Sequence, residues 1–255
     1  MKTASAILLL AFLSRAQSAP SFEVASLKPT DPSFSGRTIR APRDGNTLII
    51  RGLSPGELIR LAFGPGGGVS MPPDLMIGGP KWIEDGRYDL DAKASGVTNQ
   101  QDRLEMLKAL LVDRCRLAFH YEVRQTSVFV LTVGKGGVKM KARSPGDGGE
   151  PFTISDTGDL HFLFRDTSIN RLAQLLSSQV LNRPVLERTG LSGTFDFELA
   201  WNPDETQFGG AIHRRTDSDL PDLLTAIHGL GLRLESAKAP VQHLVIDHLE
   251  KPSEN

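Results

Sequence analysis

The chain has one cysteine in 255 residues, Cys115, so no intrachain disulfide can staple it. No apolar run approaches the ~20 residues that a membrane-spanning helix needs. Neither sign of charge dominates: 29 Lys and Arg stand against 30 Asp and Glu. That balance excludes the basic field by which proteins hold nucleic acid and the polybasic patch that binds anionic lipid. H-E-x-x-H, paired Cys/His spacings and G-x-x-x-x-G-K-[ST] are all missing, as are heptads and low-complexity tracts. The lone cysteine lies in Arg114-Cys115-Arg116-Leu117, where a helix gives way to a strand, and reads as a buried structural thiol.

The first residues have the pattern of an export leader. Lys2 supplies a positive start, Ile7 to Leu13 a short apolar core, and Ala16-Gln17-Ser18 a small-residue cleavage site. Cutting after Ser18 keeps Pro20 away from the scissile bond. Without Lys2 and Arg15 the balance becomes 27 basic to 30 acidic residues, a net charge near −3. The expected location is the periplasm or the medium, with no stable membrane span once the leader is removed.

The remaining chain reads twice. Leu48-Ile49-Ile50-Arg51, Ser54, Leu58 and Leu61 recur as Phe162-Leu163-Phe164-Arg165, Ser168, Leu172 and Leu175, at an offset of 114. Gly86-Arg87-Tyr88-Asp89-Leu90-Asp91 recurs as Gly193-Thr194-Phe195-Asp196-Phe197-Glu198 at 107, and Leu117, Phe119, Phe129 and Leu131 recur as Leu232, Leu234, Leu244 and Ile246 at 115. Offsets that drift only where loops absorb length are the mark of two copies of one folding unit. The expected fold is α+β, a tandem duplication of a β-β-α-β-α-β-β module. The expected divisions are a leader at 1–18, a first module with an N-terminal strand at 19–134, a linker at 135–150 and a second module at 151–255.

Within the first module, Ser54-Pro55-Gly56-Glu57 opens a helix with a capping Ser, Pro at the first helical position and Glu three residues on. Tyr88 to Ala92 alternates as a half-buried strand, and Leu104, Leu107 and Leu111 mark a second helix. Arg116 to Val123 and Val128 to Val133 are expected to close the unit as a hairpin around Gln125-Thr126. Phe22 to Leu27 is a strand free to join either sheet. The Asn202 to Asp219 insertion is polar and expected to be mobile.

Candidate chemistry is thin. Gly52-Leu53-Ser54-Pro55-Gly56 satisfies G-x-S-x-G, the nucleophile elbow of hydrolases. Pro55 removes a backbone N–H that such sites use, the capping box already accounts for Ser54, and the second copy drops both glycines. His243 and Asp247 share a strand face and would begin a metal site that needs His228 or His120 to finish it. Edge-strand histidines are the plainer reading. Asp89 with Asp91, and Asp196 with Glu198, are expected on the wet face of amphipathic strands, with Tyr88, Leu90, Phe195 and Phe197 turned inward. Gly64 to Gly68 and Gly134 to Gly137 read as loops. No cofactor is indicated.

Two resemblances add to this. Phe22-Glu23-Val24-Ala25-Ser26-Leu27-Lys28-Pro29, Gly78-Gly79-Pro80-Lys81-Trp82, Thr189-Gly190-Leu191-Ser192-Gly193-Thr194-Phe195-Asp196 and the ending from Val245 to Asn255 resemble a family of secreted proteins of unknown function, abundant in soil acidobacteria. In some of its relatives a similar domain is joined to an antibiotic-sensor type membrane metallopeptidase, which implies envelope signalling. Leu172-Ala173-Gln174-Leu175-Leu176, Gly193 to Phe197 and Leu223 to Leu232 resemble the short N-terminal domain of secretins and TonB-dependent receptors, which implies protein docking outside the inner membrane. The expected function is therefore a non-catalytic interaction or sensing module with an envelope or secreted protein partner. Met71 to Ile77 and 202–219 are its expected surfaces. The alternatives are a serine hydrolase using Ser54 and a small-molecule carrier with its ligand between the modules.

Overall fold

A computed structural model describes residues 20–42, 45–66, 69–143, 152–155, 160–212 and 215–252. The expected leader at 1–18 lies outside these residues, as does 144–150 of the expected linker.

The fold is mixed α+β, and the described residues form three four-stranded sheets. The first half of the chain runs β1 (Val24–Pro29), β2 (Thr38–Arg40), β3 (Thr47–Leu53), α1 (Pro55–Ala62), β4 (Met76–Gly78), β5 (Tyr88–Lys93), α2 (Gln100–Arg114) and β6 (Ala118–Val133). The second runs β7 (Lys141–Ala142), β8 (Phe152–Ser155), β9 (Leu160–Thr167), α3 (Ile169–Leu175), β10 (Val185–Glu187), β11 (Phe195–Trp201), α4 (Leu223–Gly229) and β12 (Leu232–His248). One sheet is ordered β1-β5-β3-β2 and another β7-β11-β9-β8, with the residues of each drawn from one half. The N-terminal strand joins the first of these, Val24 opposite Lys93 and Leu27 opposite Leu90. Lys141–Ala142, from the segment expected as linker, is an edge strand on β11.

The third sheet, β10-β6-β12-β4, takes strands from both halves. β6 and β12 pair antiparallel along their whole length, from Leu232 opposite Val133 to His248 opposite Ala118. Each also carries the other half's short strand in parallel, β10 on Phe129 to Leu131 and β4 on Leu244 to Ile246. The expected hairpin around Gln125-Thr126 is thus replaced by one continuous strand. A two-residue hairpin turn wants left-handed residues such as Asn-Gly, and Gln-Thr offers none. The left-handed residue falls instead at Arg116 (φ 48°), where α2 hands over to β6. Each half accordingly reads β-β-β-α-β-β-α-β, with a short strand after its first helix that the sequence pattern does not announce.

The two cores are shared across the halves in the same way. Leu48, Ile50, Leu58, Ile59, Leu90, Leu107 and Leu111 pack with Leu244, Ile246 and Leu249. Phe162, Phe164, Leu172, Phe197, Leu199, Trp201 and Ile227 pack with Val69, Leu131 and Met140. The stripe expected from Leu104, Leu107 and Leu111 is the buried face of α2.

Candidate functional site

The end of β3 and the end of β9 carry the same local geometry. A register shift separates Ile50 from Leu53 on β5, and another separates Phe195 from Phe197 on β9. Gly52 (φ 70°) and Asp166 (φ 48°) stand in the left-handed region there. Gly52 is further constrained because a Cβ at that position would lie 2.3 Å from the Gly36 carbonyl oxygen. Each bulge amide is captured by a carboxylate: Gly52 N–H donates to Asp89 (3.1 Å) and Asp166 N–H to Asp196 (3.0 Å). Thr30 Oγ1 also donates to Asp89 (2.6 Å), and Arg51 bridges Asp89 (3.7 Å) and Asp91 (2.7 Å). In the second half Arg143 (3.2 Å) and Arg165 (3.6 Å) flank Asp196.

These bonds correct the expectation of a wet face. Asp91 and Glu198 are exposed, but the Asp89 and Asp196 side chains are only 13% and 15% exposed. The reason is the bulge, whose unpaired amide needs a buried acceptor. The Asp166 N–H, helped by Arg143 and Arg165, holds the Asp196 carboxyl below the usual range.

Ser54 follows the first bulge and is buried. Its Oγ accepts from Glu57 N–H (3.1 Å), and Ser54 N–H donates to Glu57 Oε2 (2.8 Å), closing the expected capping box. The hydroxyl proton goes to Glu84 Oε2 (3.1 Å). Arg60 grips Glu84 through Nη1 and Nη2 and holds it below the usual carboxylate range. Arg37 (3.1 Å) and Arg87 (3.2 Å) converge on Glu57. The partners of Ser54 are therefore a helix amide and a carboxylate, and no histidine is among them. Gly56 has its own reason to be glycine: a Cβ there would lie 2.4 Å from Glu84 Oε1. The G-x-S-x-G spacing thus records a bulge, a cap and a close approach.

His243 and Asp247 are not brought together. His243 is buried, with Nδ1 against the Val241 carbonyl oxygen (3.0 Å) and Nε2 against Thr126 Oγ1 (3.1 Å). Asp247 instead meets His120 Nδ1 at 2.9 Å from both oxygens, and His120 Nε2 faces Glu122 (3.2 Å). Asp247, then Glu122, push the His120 imidazole above its usual range. His228 lies on α4, away in sequence from this cluster. Among the described residues no group of three His, Cys, Asp or Glu is placed to hold a metal ion. Cys115 is buried, and burial pushes its thiol up to about 12.

The feature best shaped to receive something lies beside β2. Ile39 stands opposite Ile50, so its side chain belongs to the buried face of the first sheet. It is nevertheless 45% exposed, on the strand that forms the edge of that sheet. The uncovered face opens into a cleft of about 350 Å³, lined by Arg37, Ile39, Leu53, Arg60, Met71 and Ser178 among others. Arg37 and Arg40 flank Ile39 on the exposed edge. Part of the expected Met71 to Ile77 surface is therefore in the cleft, through Met71 and Pro73. Sequence reasoning missed Arg37, Ile39, Glu84 and Ser178. An apolar residue in the run Arg37-Thr38-Ile39-Arg40 was the available sign for Ile39; Ser178 had none, because it arrives from the other half. The other expected surface is anchored rather than loose at its base, with Asn202 bonded to Arg215 backbone N–H (3.0 Å) and carbonyl oxygen (2.7 Å), and Trp201 Nε1 donating to Gln207 (2.6 Å).

A mixed α+β chain with an open edge strand over a mixed polar and apolar cleft defines the class of protein in structural terms. By sequence, the chain belongs to the family described as a protein of unknown function, DUF3738, whose family model matches residues 57–249. No curated protein and no solved structure matches the chain.

Proposed function

We propose that this is an exported, non-catalytic docking protein of the cell envelope, and that its cleft beside β2 receives an extended segment of a partner protein. The observation that carries this reading is Ile39, a core-face residue left uncovered at an open strand edge. An open edge supplies backbone bonds to an added strand, and an adjoining pocket reads its alternate side chains. Arg37 and Arg40 suit a segment with acidic residues flanking an apolar one. The leader pattern at 1–18 and the resemblance to secretin and TonB-receptor N-terminal domains support a place outside the inner membrane. The matching bulges, caps and strand pairings of the two halves support descent by tandem duplication. The bond set of Ser54 supports a non-catalytic reading, since its hydroxyl is engaged in a cap and a carboxylate.

A small-molecule carrier is favoured by one observation: Ser178 from the second half borders the cleft, whose volume is that of a small-ligand site. Calorimetry on alternating acidic and apolar peptides separates the two. Peptide binding that weakens at least tenfold in Ile39→Asp, with an unchanged melting temperature, supports strand docking. Peptides that bind Ile39→Asp as tightly as the parent chain remove it. A metabolite retained by the purified protein in native mass spectrometry, and lost in Ser178→Trp, favours the carrier.

A further inference from the structure

Among the described residues, the outer edge of β6 from Ala118 to Val128 pairs with no strand. β10 occupies that side only at Phe129 to Leu131, and β12 fills the other side. Phe129 N–H donates to the Pro184 carbonyl oxygen (2.8 Å) and the Leu131 carbonyl oxygen accepts from Arg188 N–H (2.8 Å), so odd-numbered residues turn their backbone groups to this edge. No register shift interrupts β6 between Phe119 and Val133. Backbone groups alternate sides along an antiparallel strand. Phe119, Tyr121, Val123, Gln125 and Ser127 therefore point their amides outward. Tyr121 and Val123 are 51% and 70% exposed.

A long open edge is a template for pairing unless something blunts it. On β12 the blunting residue is present: Pro240 lies opposite Gln125, so the outer edge of β12 lacks an N–H at its middle. The β6 edge has no proline.

We propose that β6 pairs edge to edge with β6 of a second copy of this chain, antiparallel about a two-fold axis through Val123. In that register Val123 faces its own mate, Tyr121 faces Gln125, and Glu122 and Arg124 face each other twice. Glu122 and Arg124 then occupy non-hydrogen-bonded pairs, where side chains approach closest and opposite charges stabilise. Sliding the axis one residue either way sets Glu122 against Glu122 or Arg124 against Arg124. The unpaired stretch from Ala118 to Val128 is itself centred on Val123, so both strands fit between the helix corner and β10. Such a pairing adds up to about ten backbone bonds and joins the two central sheets into one. An isologous contact of this kind closes on itself and does not propagate.

The test is sedimentation of the protein expressed from its full chain, at concentrations up to about 100 μM, far above a micromolar Kd. A species of twice the monomer mass is expected. Val123→Pro removes only an outward N–H and is expected to sediment as a monomer with unchanged circular dichroism. Glu122→Arg is expected to weaken the dimer at least tenfold, and Glu122→Arg with Arg124→Glu to restore it. A parent chain that stays monomeric throughout overturns the proposal, and so does a dimer indifferent to these changes. None of these residues lines the β2 cleft, so peptide binding there succeeds or fails independently.

Discussion

Replacing Ser54 by Ala separates a helix cap from a nucleophile. The substitution removes the acceptor for Glu57 N–H, a loss worth about 1 kcal/mol for a capping serine. Half of the capping box survives, because Glu57 Oε2 still accepts from the Ser54 backbone. Glu84 keeps its Arg60 clamp and, at 51% exposed, replaces the lost hydroxyl with water. The net cost is therefore about 1 kcal/mol, which lowers the melting temperature by about 2–4 °C in a chain of this size. Ser168 caps α3 by the same kind of bond, to Arg171 N–H at 3.2 Å, whereas Ser54 bonds Glu57 and Glu84. Ser168→Ala is expected to cost a similar amount, with the two losses adding in the double variant. Urea unfolding of the four proteins, at equal m-values, reads this directly. A Ser54→Ala protein as stable as its parent, beside a Ser168→Ala protein that loses about 1 kcal/mol, would refute the capping argument. Loss of esterase or peptidase activity in Ser54→Ala alone would return the serine to chemistry.

Other consequences follow from the buried groups and the shared sheet. Cys115, its thiol pushed up to about 12, is expected to ignore thiol reagents at pH 8 and to react fully in denaturant. Asp196, whose folded carboxyl lies below its unfolded value, stabilises the protein above the unfolded pKa and loses that contribution as pH falls through the folded one. Asp196→Asn is thus expected to melt below the parent at pH 7, with the gap closing as the pH is taken below about 4. Because Leu244 and Ile246 complete the first core, and Val69 and Leu131 the second, residues 19–134 and 151–255 expressed apart are each expected to lack a cooperative unfolding transition.

The local chemistry of this chain is legible because it depends on near neighbours. Ser54-Pro55-Gly56-Glu57 writes its own helix start, Leu104, Leu107 and Leu111 their own buried stripe, and Tyr88 to Ala92 its own alternation. What escapes the sequence is whatever depends on residues far away. Nothing around Gln125 says that the chain runs straight on, since the partner that straightens it is β12, more than 100 residues later. Met76 to Gly78 and Val185 to Glu187 are too short to show a strand pattern, and become strands only by lying against the other half. Asp89 and Asp91 look alike in sequence and differ only because a bulge amide waits beside one of them. The cleft was the least legible part, for it brings an edge strand and α1 of the first half together with a serine from the second.

Site-specific photocrosslinking in living cells tests the central claim most directly, with a benzophenone amino acid replacing Ile39 in the cleft or, as an exposed control, Leu224 on α4. The docking account predicts one reproducible envelope protein crosslinked from position 39 and absent from position 224. Crosslinking that is the same from both positions, or none from position 39 while the protein is folded and exported, would contradict it.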